Sequence, residues 1–489
     1  MSTRPPRTWT PSPDFVRAVL KGHSGLGLAF AAVIYIVCLT GTLAVFVNEF
    51  QRWENPGAPK LEQVSAETVQ RAYVAALDRA GSGVEHVYIY LPSGDLPMLR
   101  IVTDIDGRRQ GWYAEADGRL ATEARESWAE FLIRLHINLH LPRSWGIFIV
   151  GLTGVALLSS LISGILAHPR IFRDAFHLRL GGSRRLQEAD LHNRIGVWAL
   201  PFHILLSLSG AFLGLTTIIV GVLGLAVFQG DTQKVYDLFI PPHPTDDARP
   251  APPLDLRPMF EQVARRAPQG SIEYVFLEHP TEQGGAALFN VEDGSQRLAG
   301  TDAYAFDRSG KLYHAKQATS NNIGEQILGA LGPLHFGWFG GGVVKIVYGL
   351  LGLGLSYLAV GGVLIWLARR RDKGRPAPGW ERLWTATVWG QPFALAIAAL
   401  GAILTPLPSS LPIWLWAAAS LAMLAVALIL SPGSLSRIGR GGTGITMIVL
   451  ALIHGLSSFG ADPIATLVDI VLALIGIALV ATLFRRRTV

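Results

Sequence analysis

The chain has 489 residues, 50% of them hydrophobic and 16% charged, a balance that excludes an ordinary soluble globular protein and points to membrane-buried segments. Its formal net charge of +6 comes from basic clusters beside apolar runs, so it reports membrane topology and not nucleic-acid binding. The single cysteine, Cys38, excludes a disulfide framework, a cysteine-rich zinc site and an iron–sulfur cluster.

Apolar runs of about 20 residues, the length a bilayer core requires, predict eight spans near 26–48, 146–167, 195–228, 343–368, 385–405, 411–431, 443–459 and 463–484. The third is overlong and is expected to tilt or to continue past the interface. Basic residues fall on one side of these spans. Arg4, Arg7, Arg17 and Lys21 precede the first, and Arg170, Arg173, Arg179, Arg184 and Arg185 follow the second. Arg369, Arg370, Arg371 and Lys373 follow the fourth, Arg437 and Arg440 lie between the sixth and seventh, and Arg485, Arg486 and Arg487 end the chain. The positive-inside rule then places both termini in the cytoplasm and the longer loops opposite. No cleavage site follows the first run, which reads as a retained helix.

The two long loops resemble each other. In the first, residues 67–80 have helical spacing, and His86–Leu91, Met98–Val102 and Gly111–Ala114 read as strands separated by turn signals. In the second, Leu256–Arg266 reads as a helix, and Ile272–Leu277, Ala287–Val291, Ala303–Asp307 and Leu312–His314 read as strands. Each loop is expected to be a small α+β module, with the proline-rich stretch Pro241 to Pro253 as a linker into the second. The predicted units are 1–50 (N-terminal segment and first span), 51–130 (first module), 131–228 (two spans and a basic loop), 229–332 (second module), 333–372 (fourth span) and 373–489 (a four-helix appendage).

The duplication extends into the membrane. His23 opens a run that reaches Thr40-Gly41, and His192 opens one that reaches Ser209-Gly210; 41 − 23 and 210 − 192 are both 18. Beyond the modules, Leu135-His136 precedes Gly151-Leu-Thr-Gly154 and Gly164, and Leu334-His335 precedes Gly349-Leu-Leu-Gly352 and Gly362. The repeat is helix–module–helix, twice, in the same topology, which implies a pseudo-two-fold axis along the membrane normal. The axis pairs His23 with His192 at one membrane face and His136 with His335 at the other. Facing helices that each offer an imidazole suit the two axial positions of a haem iron. Gly25, Gly27, Gly337 and Gly340 are small residues that would let a wide ring approach. With no Cys-x-x-Cys-His in the chain, haem would be held non-covalently. Duplicated structural hydrogen bonding is the competing reading.

Other polar residues are secondary candidates. His140, four residues after His136, is a neighbour or a substitute ligand. His203 is a buried histidine that matches Ile34 of the first copy. His168 and His177 read as polar residues at the cytoplasmic face. Arg194, Arg134 and Arg143 flank the histidines and would pair with haem propionates or with lipid phosphates. Tyr88, Tyr90, Tyr113, Tyr304 and Tyr313 offer aromatic surface in the modules, or pack within them. Asp462, Asp469 and His454 are the polar exceptions in the last four spans.

These residues resemble the PepSY-associated transmembrane family over roughly residues 15–372. The matching pieces are His23-x-x-Leu-Gly27 with Thr40-Gly41, Leu135-His136-Ile-Asn-Leu139, Ile162-Ser-Gly164, Asp190-Leu-His192-Asn-Arg-Ile-Gly196 with Ser209-Gly210, and Leu334-His335-Phe-Gly337. The resemblance implies two PepSY domains in the periplasm of a bacterial inner-membrane protein. It also implies two non-covalent b-type haems on His23, His192, His136 and His335, and reduction of a ferric siderophore or other Fe(III) chelate. The electron donor would be a cytoplasmic molecule or the quinol pool, and the bilayer is the remaining partner. A transporter whose path runs through the last four helices, and a haem-free regulatory membrane protein, are the alternatives.

Overall fold

The computed structural model describes residues 12–168, 184–236, 247–295, 297–405 and 410–484. The basic residues Arg4, Arg7, Arg170, Arg173, Arg179 and Arg485 to Arg487, together with His177, the start of the proline-rich linker and most of the loop around Pro406, lie outside them.

Ser12 opens the first helix, α1 (Pro13–Ala44), by accepting the Phe15 N–H, with Pro13 in the first turn where no donor is needed. A short α2 (Val47–Glu54) leads to α3 (Ala66–Ala80) and strands β1 (His86–Tyr90), β2 (Arg100–Ile105), β3 (Arg108–Ala114) and β4 (Leu120–Glu123). Then come α4 (Ser127–Asn138) and α5 (Arg143–Ala167). The second copy repeats this order. It runs α6 (Arg184–Trp198), α7 (Leu200–Gly214), α8 (Thr216–Val227) and a single turn α9 (Gln233–Tyr236), then α10 (Arg257–Arg266). Its strands are β5 (Ser271–Glu278), β6 (Ala286–Glu292), β7 (Thr301–Asp307) and β8 (Leu312–Lys316), followed by α11 (Ile323–Phe336) and α12 (Gly341–Asp372). The appendage is α13 (Pro378–Leu404), α14 (Leu411–Val426), α15 (Pro432–Ser458) and α16 (Pro463–Phe484).

Among the described residues six helices, α1, α5, α12, α13, α15 and α16, are long and apolar enough to cross a membrane, and α6 with α7 makes a seventh if the bent pair is one span, so this is a multi-pass membrane protein. Two expected spans differ. The overlong third one is three helices, with a 73° bend between α6 and α7. Pro201 at the start of α7 explains the bend: it has no N–H for the Val197 carbonyl, so the helix cannot continue through it. The sixth, α14, has only 16 residues, short of a full crossing.

The two modules are not separate bodies. Their strands form one eight-stranded antiparallel sheet in the order β4-β3-β2-β1-β5-β6-β7-β8. The junction is β1 against β5, with His86 opposite Glu278, Tyr88 opposite Phe276 and Tyr90 opposite Tyr274. Helices α3 and α10 cover one face, where Val87, Ile89, Val275, Leu277 and Phe289 form a shared core with Val69, Tyr73, Met259 and Val263. A lone module would leave its first strand as an open edge. Pairing the two removes both edges and pools the apolar faces. Tyr304 is buried in this core; on the opposite face Tyr113 is buried and Tyr88 and Tyr90 are half-exposed.

In the membrane bundle the glycine pairs make the contacts between copies. A Cβ on Gly151 or Gly154 of α5 would collide with α7 at Gly214 or Ala211. A Cβ on Gly352 of α12 would collide with Thr42 of α1, and one on Gly349 would crowd the Phe46 ring just past the end of α1. Small residues let each helix approach its cross-copy neighbour at backbone distance.

Candidate functional site

Each of the four paired histidines lies on a glycine of a neighbouring helix in its own copy. A Cβ on Gly41 of α1 would stand 2.6 Å from His136 Cε1, and one on Gly210 of α7 would stand 3.0 Å from His335 Cε1. At the other end of the bundle, a Cβ on Gly164 of α5 would stand 3.4 Å from His23 Cε1. Cβ atoms on Gly361 and Gly362 of α12 would stand 3.3 Å from His192 Nδ1 and 3.6 Å from its Cε1. The glycines at matched offsets are thus the floors on which the imidazoles rest. Gly337, expected to admit a ring, instead ends α11 at φ 75°, a backbone conformation that favours glycine.

Hydrogen bonds fix the rings as well as their places. His136 Nδ1 lies 2.9 Å from the Val37 carbonyl and His23 Nδ1 lies 2.9 Å from the Ser160 carbonyl. A carbonyl only accepts, so both rings carry the proton on Nδ1. Ser209 donates its hydroxyl to the Leu205 carbonyl and accepts from His335 Nδ1 at 2.9 Å. Three rings therefore share one tautomer, with Nε2 left as a lone pair. This is the outer-shell arrangement that orients a metal-ligating histidine. His192 Nδ1 is buried without a hydrogen bond of normal geometry, and the Leu358 carbonyl is its candidate acceptor. Val37, Ser160 and Leu358 each precede their floor glycine by four residues, one turn down the same helix face.

The His136 and His335 rings face each other near the sheet, with centroids 6.2 Å apart and planes inclined by 26°. Metal–imidazole bonds of about 2 Å on either side of one iron place two ring centroids roughly 6 Å apart. His23 and His192 line a cavity of about 340 Å³ at the far end of the bundle. Gly27, Gly164, Gly196 and Gly362 contribute backbone to its wall, and His168, Asn193 and Arg369 are polar residues on it. Both places fit haem in donor set and small-residue walls, and the near pair fits it in ring spacing as well.

The secondary candidates divide. His140 is turned away: Leu139 and His140 both have positive φ, its Nε2–H donates to the Phe131 carbonyl at 2.9 Å, and its ring stacks on Phe131 at 5.0 Å. Helix α4 ends at Asn138, so the i, i+4 relation of His136 and His140 does not hold. Arg134 pairs with Glu130 on the exposed side of α4, and Arg143 is exposed at the start of α5. Arg194 is buried, and among the described residues Arg369 is the arginine on the cavity wall. The sequence signal for Arg369 is its position seven residues, two turns, after Gly362. His203 is fully buried in α7, seven residues before the floor glycine Gly210. Neither of its nitrogens makes a hydrogen bond of normal geometry, and the Leu351 carbonyl is its candidate acceptor. Asp462 is held by Arg52 and Lys60, and Asp469 by Trp53 and His454.

The four histidines, their floors and both halves of the sheet fall within residues 20–369, which match the family model of the PepSY-associated TM region. The chain belongs to that family. An uncharacterized protein of Pseudomonas aeruginosa is 30% identical to it over 349 residues, which cover 66% of this chain and 86% of that protein. Helices α13 to α16 lie beyond the matched residues of this PepSY-associated protein.

Proposed function

We propose that this protein carries electrons across a bacterial inner membrane and reduces Fe(III) held by a chelate, most simply a ferric siderophore, in the periplasm. The observation that carries the proposal is the pair His136 and His335: two rings 6.2 Å apart, each with Nδ1–H anchored to the neighbouring helix. Bound haem would supply reversible one-electron chemistry at each end of the bundle. The chain's own groups do the rest. The glycine floors set the approach of the rings, the Nδ1–H anchors hold Nε2 toward the iron, and Arg369 offers a cation to a propionate at the wider cavity.

The charge distribution supports the direction. Arg17, Lys21, Arg185 and Arg369 to Arg371 lie at the end of the bundle away from the sheet, which the positive-inside rule makes cytoplasmic. The sheet then lies in the periplasm. The face opposite α3 and α10 carries the half-exposed Tyr88, Tyr90, Tyr274 and Phe276, with Arg109 over the Tyr88 ring at 4.7 Å, an aromatic and basic surface suited to an anionic chelate. The net reaction moves one electron from a cytoplasmic or quinol donor to the chelated iron, giving Fe(II). Release follows because hard oxygen ligands hold Fe(II) less tightly than the smaller, more highly charged Fe(III).

The test is a reduced-minus-oxidised visible spectrum of the purified protein, with histidine-to-alanine variants at 23, 136, 192 and 335. Two bis-histidine haems per chain, one lost in each variant, and oxidation of the dithionite-reduced protein by a ferric siderophore are the expected results. Protein free of haem after expression with ample haem supply sinks the proposal.

A further inference from the structure

The two arms that present the sheet-proximal histidines are held very differently. We propose that the four C-terminal helices act as a buttress: through α2 they fix the His136 arm, and they leave the His335 arm free to yield. The inference rests on the function proposed above for its meaning, but not for its physical content.

Helix α2 is eight residues long, and four of its side chains reach three different bodies: α12, the appendage and α4. Glu49 pairs at 2.8 Å with Lys345 of α12, which is 2% exposed and also meets Asp95 of the loop between β1 and β2 at 2.9 Å. Arg52 holds the fully buried Asp462, just ahead of α16, through two bonds of 3.0 and 2.9 Å. Trp53 donates its indole N–H to Asp469 of α16 at 2.8 Å, and that carboxylate's other oxygen meets His454 Nδ1 of α15 at 2.8 Å. Glu54 accepts the Trp128 and Ala129 N–H groups at 2.7 and 2.9 Å, capping the start of α4. Trp53, Trp128, Phe131, Leu132 and Leu135 then share one buried cluster with Leu395, Ala398, Leu450 and Ala465 of the appendage. His136 is the next residue along α4.

The duplication supplies the control. The offset between the copies is 192 − 23 = 169 at α1 and α6, so Glu49, Arg52, Trp53 and Glu54 correspond to Ile218, Gly221, Val222 and Leu223 of α8. None of these can make the ionic or hydrogen-bonded ties. The offset 335 − 136 = 199 matches Trp128 to Ile327 of α11, which is 60% exposed where Trp128 is 4% exposed. Helix α11 buries no residue, and its start is capped by Asn322 and Glu325, with Lys316 of β8 on the Glu325 carboxylate. Arg52 and Trp53, which the second copy lacks, are aimed at Asp462 and Asp469 beside and in α16, whereas the second copy meets the appendage through α12 on α13, where Trp366 packs on Trp380 and Arg371 pairs with Glu381. A clamp on one ligand arm accounts for both facts.

The experiment uses the full-length purified protein, with Trp53→Phe, which keeps the ring and removes the N–H, and Asp462→Asn, which weakens the separate tie to Arg52. Amide hydrogen exchange is compared over residues 127–138 and 323–336. The expected result is slower exchange in α4 than in α11 of the wild type, with α4 alone accelerated in each variant by at least severalfold. In the haem-loaded protein, the low-spin ferric resonance lost in His335→Ala should move in both variants while the other stays. Unchanged exchange in α4, equal acceleration of both arms, or loosened α4 with both resonances unmoved overturns the buttress. A wild type without haem refutes the proposed function, and the exchange comparison still decides whether the appendage holds α4.

Discussion

The four floor glycines are not equally tight, and this makes Gly41→Ala and Gly164→Ala a decisive pair. At Gly41 the new methyl would lie 2.6 Å from His136 Cε1 and 3.0 Å from Nδ1, inside the distance that carbon atoms tolerate. Relief requires the ring to move off α1, which breaks the Nδ1–H bond to Val37. Overpacking costs about 1–3 kcal/mol and a lost hydrogen bond about 0.5–1.5 kcal/mol. If half of this sum is felt by the haem-bound state, affinity at that site falls roughly 3- to 40-fold, at 1.4 kcal/mol per tenfold. At Gly164 the methyl would lie 3.4 Å from His23 Cε1, an ordinary contact, so the same substitution should change affinity less than about threefold. The assay is haem retained per chain after passage over a haem scavenger such as apomyoglobin, followed by the pyridine haemochrome spectrum. Gly41→Ala should release one haem of two and Gly164→Ala neither. Equal loss in both variants, or full retention in Gly41→Ala with an unaltered spectrum, refutes the claim that the glycines are ring floors.

Three further outcomes follow from particular groups. Burial raises the Glu54 carboxyl to about 8, over the opposing pull of the Trp128 and Ala129 N–H groups. An acid whose folded pKa lies above its unfolded value binds its proton more tightly when folded. Between about pH 4.5 and 8 the folded state therefore loses stability as pH rises, by at most about 1.4 kcal/mol per unit; Tm should fall over that window and fall less in Glu54→Gln. His140→Ala should keep both haems, because its ring bonds the Phe131 carbonyl; loss of a haem would make it a ligand. His203→Ile, which copies Ile34 of the first repeat, removes two buried nitrogens without normal hydrogen bonds. It should stabilise haem-depleted protein by about 1–3 kcal/mol, and an unchanged or lower Tm contradicts that.

The duplication was legible because its geometry is local. An 18-residue interval from histidine to glycine sets how far apart two groups lie on one helix, and the helical rise does the rest. Which ring rests on which glycine was not legible: His136 lies over Gly41, not over a glycine of its own helix, and only the packing of α4 on α1 shows it. The strands of the modules were visible from alternation, yet the pairing of β1 with β5 joins segments about 180 residues apart. Nothing local distinguishes an open edge from a joined one. The break at Ala199 had a sequence signal in Pro201, which was overridden by the length of the apolar run. His140 was misplaced because the helix was carried past Asn138, where Leu139 in fact takes a left-handed conformation.

The two ends of the bundle differ in a way the duplication alone does not require. At the sheet-proximal end the rings already stand 6.2 Å apart, whereas at the far end His23 and His192 face a cavity of about 340 Å³. The difference follows from the bend at Ala199. Helix α1 runs unbroken from Pro13 to Ala44, so His23 and Gly41 share one straight axis, but α6 and α7 meet at 73° and separate His192 from Gly210. Identical copies would make the two histidines of each pair equivalent about the axis. The bend displaces one histidine of the far pair and leaves the near pair closed. Straightening it should therefore act on the far site first. Pro201→Ala restores the N–H that the Val197 carbonyl lacks, so a change confined to the His23–His192 haem is the expected result. A change confined to the other haem would mean that the bend does not set this asymmetry.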